Sequence, residues 1–270
     1  MSAKNRHPSA SQTKLFEVIH IVLTAIQPSY PDLFHNETRE KHGKGGHKMN
    51  IESALVLITS ASSLLGSTLA IHFARLGARV ILCDTNQQGL LETFKRCRDI
   101  SHEVEQYHLA DYSLHSIHNM LDHIEHTYQS VPDVLINNWP NAPLPSVVDE
   151  HPAELFIQKL ALMASSLFTF GQACSERMRH RSAKGVIVNV LSYNSPQDMP
   201  GIENATSMVS GFTQSWAKEL TPFNIRVGGV VPMISANDES VHWAAVNDEL
   251  IRNTEYIVAN EYFSGRVMSA

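Results

Sequence analysis

Ala54-Leu55-Val56-Leu57-Ile58-Thr59-Ser60-Ala61-Ser62-Ser63-Leu64-Leu65-Gly66 decides the fold. Its first half is a continuous apolar run, the pattern of a strand buried on both faces. Leu65, Leu69, Phe73 and Leu76 then recur at helical spacing, and Gly77 ends that helix. The alternation continues outward. Arg79 to Asp84 reads as a second buried strand, Gln87 to Arg98 as a helix, and Val104 to Leu109 as a weaker strand. Leu114, Ile117, Leu121 and Ile124 form the apolar stripe of the next helix, and Asp133 to Asn137 is a fourth strand. A long helix from Ala153 to Met178, a strand from Gly185 to Leu191, a helix from Ala205 to Leu220 and a strand from Ile225 to Val231 complete the series. This order specifies an α/β fold, a single Rossmann-like doubly wound parallel sheet with helices on both faces. Ligands of such sheets lie beyond the carboxyl ends of the strands. That directs attention to Thr59–Gly66, Asp84, Asp111, Asn137 and Ser192.

The chain has 270 residues, 43% of them apolar, enough for one sizeable core. Its 21 basic and 27 acidic residues give a net charge of −6, which argues against a general nucleic-acid binder. No run of 18 apolar residues is present, so no membrane association is expected. Cys83, Cys97 and Cys174 lack metal or disulfide spacing and read as buried thiols of a reducing compartment, hence a cytoplasmic protein. Residues 1–48 form an N-terminal extension, expected to be mobile, ahead of a domain spanning 49–270. Within the extension, Leu15 to Ile26 is apolar but interrupted by Glu17 and His20. It reads as a short amphipathic helix rather than a secretory signal, because no small-residue cleavage site follows. The Gly/His/Lys-rich stretch around His42 and His47 reads as a solvated linker, and Met49 offers a second possible start. His115, His118, Asp122 and His126 share one helix face, opposite the leucine stripe. They are expected to meet solvent, and no metal site is expected.

From about Glu52 onward the chain resembles the short-chain dehydrogenase/reductase family. Thr59 to Gly66 stands where the family has Thr-Gly-x-x-x-Gly-x-Gly, and Asn137-Asn138-Trp139-Pro140 where it has Asn-Asn-Ala-Gly. Ile187 to Ser192 is similar to the strand ending in the catalytic serine. Gly211 to Leu220 and Ile225-Arg226-Val227 are similar to the next helix and strand, and Tyr262 to Val267 to a shortened final strand. The resemblance implies a nicotinamide dinucleotide cofactor. Thr59, Ser60, Gly66, Asp84, Asp111 and Asn137 fall on its binding positions, and Asp84 would favour NAD over NADP. It also implies pairing through the two long helices, giving a homo-oligomer or a hetero-oligomer with an active relative.

The departures bear on activity. Two of the three loop glycines are Ser60 and Leu64, and the Leu64 side chain is expected to occupy pyrophosphate space. Alignment on Gly211-Phe212 puts Ile202 at the family's tyrosine, Thr206 at its lysine and Met163 at its asparagine, leaving Ser192 as the one surviving group. No Lys or Arg lies between Lys184 and Lys218, so no cation is available there to acidify a phenol whose ordinary pKa is about 10. Tyr193 is the nearest substitute phenol. Gly228 and Pro232-Met233 depart from the family's Arg-Val-Asn and Pro-Gly patterns. Three readings follow: a homologue that has lost catalysis and acts as a binding or scaffold protein, a divergent NAD(H)-dependent oxidoreductase using Ser192 with Tyr193 or water, and a non-catalytic sensor of a nucleotide or small ligand.

Overall fold

A computed structural model describes residues 49–140, 142–145, 150, 153–193, 200–233 and 243–270. The predicted extension 1–48 and the polar segment Ser235–Glu239 lie outside the described residues. Seven strands form one sheet, β1 (Leu55–Ile58), β2 (Arg79–Asp84), β3 (Val104–His108), β4 (Val134–Pro140), β5 (Gly185–Ser192), β6 (Ile225–Val231) and β7 (Val267–Ser269). All pairs are parallel, in the order β3-β2-β1-β4-β5-β6-β7. The order reverses between β1 and β4, which makes their carboxyl ends the crevice of the fold.

The period-two alternation of a strand sorts the core into two layers. Leu55 and Leu57 join one cluster with α3 (Leu114–Tyr128), α4 (Ala153–His180) and α5 (Ile202–Leu220). Val56 and Ile58 join the other, with α1 (Leu64–Arg75), α2 (Gln87–Arg98) and α6 (Trp243–Ala259). Three helices begin at side-chain caps: Ser63, Asn86 and Ser113 accept from the backbone N–H of Gly66, Gly89 and Ser116. Cys83, Cys97 and Cys174 are free and buried.

The structure departs from the sequence expectations in four places. Helix α6 was not anticipated, although Leu250, Thr254, Ile257 and Val258 bury one face of it. Its end is fastened by the Arg226 guanidinium, which donates to the carbonyls of Ile257, Val258 and Phe263. Strand β7 starts at Val267, after a turn in which Gly265 has φ of +70°. Strand β4 runs on past Asn137 through Trp139 and Pro140, paired with Leu191 and Ser192 of β5. Finally, the polar face of α3 is not simply solvated. Arg177 of α4 donates to Asp122 at 2.7 Å and Glu125 at 3.0 Å and reaches His118 at 3.3 Å, while Leu114 of the expected apolar stripe is 48% exposed.

Helix α4 has the length and apolarity of a membrane span by composition alone. Here Met163, Leu167, Phe170, Cys174 and Met178 bury one side of it in the core.

Candidate functional site

The crevice begins where β1 turns into α1. Thr59 Oγ1 donates to the Asn138 carbonyl at 2.9 Å. The Asn138 side-chain amide donates in return to the carbonyls of Thr59 and Ser60, both at 3.3 Å, and to Ser63 Oγ at 3.0 Å. Ser63 Oγ donates to the Ser60 carbonyl at 2.8 Å and accepts from Gly66 N–H at 3.0 Å. These bonds hold Ser60 at φ +47°, the left-handed region that glycine occupies at least cost. The turn thus has the shape of a glycine turn with a serine in it. Gly66 had no such freedom, since a Cβ there would lie 2.3 Å from the Ser60 carbonyl oxygen and 2.8 Å from Asn138 Nδ2. The backbone N–H groups of Ala61, Ser62, Ser63, Gly66 and Ser67 all have partners inside the protein. Leu64, expected to fill the loop, is 49% exposed.

Asp84, at the end of β2, is buried, and both its oxygens are engaged. Oδ2 accepts from Ser62 N–H at 2.9 Å and Oδ1 from Asn86 N–H at 3.0 Å, with the Tyr112 hydroxyl at 3.5 Å from Oδ1. Asp111 instead faces solvent at the start of α3. Its Oδ1 accepts from the Ser113 hydroxyl, the Ser116 hydroxyl and the Ser113 N–H, which pull the carboxyl from 3.8 down to about 2. Asn137 is buried in a chain of amides that joins three elements. It donates to the Leu167 carbonyl of α4 at 2.9 Å and to Asn189 Oδ1 of β5 at 3.3 Å, and Asn189 donates to Thr213 Oγ1 of α5 at 3.2 Å.

The other end of the crevice is apolar. Met163 and Ile202, at the family's asparagine and tyrosine positions, are each 3% exposed and lie in one core cluster with Trp139, Leu144 and Tyr193. Gly201, with φ +76°, brings α5 against this cluster, because its α-carbon faces the Leu144 side chain and backbone. Thr206 is half-buried one turn along. Ser192 is buried, and its Oγ makes no hydrogen bond among the described residues. Burial pushes the Tyr193 phenol up to about 12, the wrong direction for a base near neutral pH. Lys218 is exposed, about 18 Å along the helix from Thr206 at 1.5 Å per residue.

Between these ends lies a cavity of about 220 Å³. Thr59, Ser60, Asn137 and Asn138 form its floor, and Tyr112, Trp139 and Pro140 part of its wall. Leu162, Met163, Ser166, Leu167 and Phe170 of α4 close the far side. Of the sequence-derived candidates it therefore gathers Thr59, Ser60 and Asn137. Gly66, Asp84, Asp111, Ser192 and Tyr193 are not in its lining. Asn138, Tyr112 and Trp139 were not singled out as site residues. The replacement of a small residue by Trp139 in the Asn-Asn motif was the available signal for one of them.

A sequence profile described as short chain dehydrogenase matches residues 54–243. A 3-oxoacyl-acyl-carrier-protein reductase of Thermotoga maritima is 29% identical over 187 residues, covering 68% of this chain and 75% of that protein. The (S)-acetoin-forming diacetyl reductase of Staphylococcus epidermidis is 26% identical over 217 residues, 78% of this chain and 81% of that one. Among solved structures, a short-chain type dehydrogenase/reductase from Mycobacterium marinum superposes with a TM-score of 0.69 at 20% identity, covering 81% of this chain and 95% of the other.

Proposed function

The chain belongs to the short-chain dehydrogenase/reductase family, and from that premise we propose that it keeps the family's frame without the family's reaction, acting as a binding or scaffold protein. The observation that supports this reading is the burial of Met163 and Ile202, each 3% exposed and in one core cluster with Trp139 and Leu144, at the positions where the resemblance would put the family's asparagine and tyrosine. Hydride chemistry on a carbonyl needs a proton delivered to the developing alkoxide. A phenol that burial pushes up to about 12, and an isoleucine, are poorly suited to that delivery.

Family membership implies a nicotinamide dinucleotide, which would supply the hydride when bound. The residues here fit one poorly. The loop N–H groups of Ala61, Ser62, Ser63 and Gly66 that would face a pyrophosphate are spent on internal acceptors. The Asp84 oxygens that would take a ribose hydroxyl hold Ser62 and Asn86 instead. The test is titration of the full chain with NADH and with NADPH, read by thermal shift and by nicotinamide fluorescence, alongside a carbonyl panel that includes diacetyl and a 3-oxoacyl thioester. The expected result is no saturable binding below millimolar and no cofactor oxidation. Hydride transfer to any carbonyl overturns the reading.

One observation favours a second reading. Ser192 Oγ is a buried polar atom without a partner among the described residues, as a divergent NAD(H)-dependent enzyme using Ser192 with Tyr193 or water would require. The same assay decides between them.

For partners, we propose pairing through α4 and α5 with a second copy or an active relative. Leu162 is 66% exposed, and Phe168, Met208 and Phe212 are only half-buried. Gly211 has open space in front of it, room for another helix to approach. Light scattering at micromolar concentration checks the self-association, and a monomer rejects it.

A further inference from the structure

We propose that the cavity beside Asn138 binds a neutral, phosphate-free aromatic molecule of one or two rings. This deepens the reading above and rests on it, since it takes the crevice to be free of dinucleotide.

Size comes first. A cavity of about 150 Å³ accommodates benzene, and pockets for drug-sized ligands begin near about 300 Å³. At about 220 Å³ this space lies between the two. Charge comes second. Among the described residues no Lys, Arg, His, Asp or Glu is in the lining, so a phosphate or carboxylate would lose its hydration with none of these to meet it. Shape comes third. The Tyr112 and Phe170 rings meet edge-on, with centroids 6.2 Å apart, and Trp139 adds a third aromatic surface. Aromatic walls of this kind favour an aromatic guest through edge-to-face and offset contacts.

Polarity comes last. The Asn138 carboxamide is in the lining, but its Oδ1 is sealed from the open space and its amide hydrogens are engaged by Thr59, Ser60 and Ser63. Ser166 Oγ donates to the carbonyls of Leu162 and Met163 and so keeps its lone pairs for a donor. A single ring N–H or O–H on the guest therefore matches the wall, and several would not be satisfied.

The experiment is calorimetric titration of the full chain with indole, with adenosine and NADH as comparison arms. Two variants accompany it. Ser166→Phe places a ring in the cavity, and Gln158→Phe places one on the exposed side of the same helix, outside the lining. The expected result is saturable one-to-one indole binding with a Kd below millimolar. Ser166→Phe weakens it at least tenfold while the melting temperature stays close to wild type, and Gln158→Phe leaves it unchanged. Adenosine and NADH bind more weakly than indole. Absence of saturable indole binding to the wild-type chain, or binding that Ser166→Phe leaves untouched, overturns the proposal while the non-catalytic reading stands. NADH that displaces indole and then reduces a carbonyl overturns both, so the two failures are told apart by turnover.

Discussion

The two ends of the crevice have diverged in opposite ways. At the β1–α1 loop, polar residues persist and nearly every one is hydrogen-bonded inside the protein: Thr59, Ser63 and Asn138 to one another, Asp84 to Ser62 and Asn86. At the other end, Met163 of α4, Ile202 of α5 and Trp139 of β4 belong to one apolar cluster, and Ser192 Oγ has no partner among the described residues. The difference teaches what held each set in place. Loop residues fasten backbone whether or not a ligand arrives, so losing one leaves buried donors or acceptors unpaired. Groups that serve only a reaction have no such second duty, and apolar replacements pack better than they did.

That contrast can be broken at several points. The largest effect is expected for Gly66→Ala. The new methyl would meet the Ser60 carbonyl, which is backbone, and the Asn138 amide, which hydrogen bonds to Thr59, Ser60 and Ser63 hold in place. A loss of about 3 kcal/mol is expected from overpacking a fixed backbone, read as a lower urea midpoint at unchanged slope. A variant as stable as wild type would show that the loop is not clamped. Ser192→Ala should act in the opposite direction. Removing a buried hydroxyl with no partner is expected to be neutral or to stabilise by about 1 kcal/mol. Clear destabilisation would mean that Ser192 has a partner or a ligand, and the apolar end would then not be fully converted to core.

The smallest effect concerns Asp111, which is fully exposed and so tests local structure rather than global stability. Its carboxyl sits at about 2 against an ordinary 3.8, so its contribution to the start of α3 is complete above the unfolded value and is lost as pH falls through the folded one. Hydrogen-exchange protection of the Ser113 amide, which donates to Asp111 Oδ1, should therefore hold at pH 4, fade between about 3.8 and 2, and be reduced at pH 4 in Asp111→Ala. Fading already at pH 5 would contradict the cap.

The fold was readable because strands buried on both faces write themselves as continuous apolar runs, as in Ala54 to Ile58. Helix α6 was not, because the reading of the sequence passed from the strand ending at Val231 to the final strand. Its buried stripe at Leu250, Thr254 and Ile257 was nonetheless at helical spacing. The prolongation of β4 was hidden by Pro140, a residue that usually marks the end of pairing and here is its last member. At the crevice, the missing cation was visible as an absence of Lys and Arg between Lys184 and Lys218. What took the vacated space was not visible, since Trp139, Met163 and Ile202 meet only through the fold. The role of Asp84 was equally hidden. A carboxylate at a strand end looks the same in sequence whether it serves a sugar hydroxyl or the Ser62 amide.

The Asn138 carboxamide has a consequence for motion. The strand order of the sheet reverses between β1 and β4, the seam that opens its crevice. Two hydrogens of a single side chain are shared among three oxygens across that seam, like a rivet through overlapping plates. The loop after β1 and the end of β4 should accordingly open to solvent together rather than one at a time.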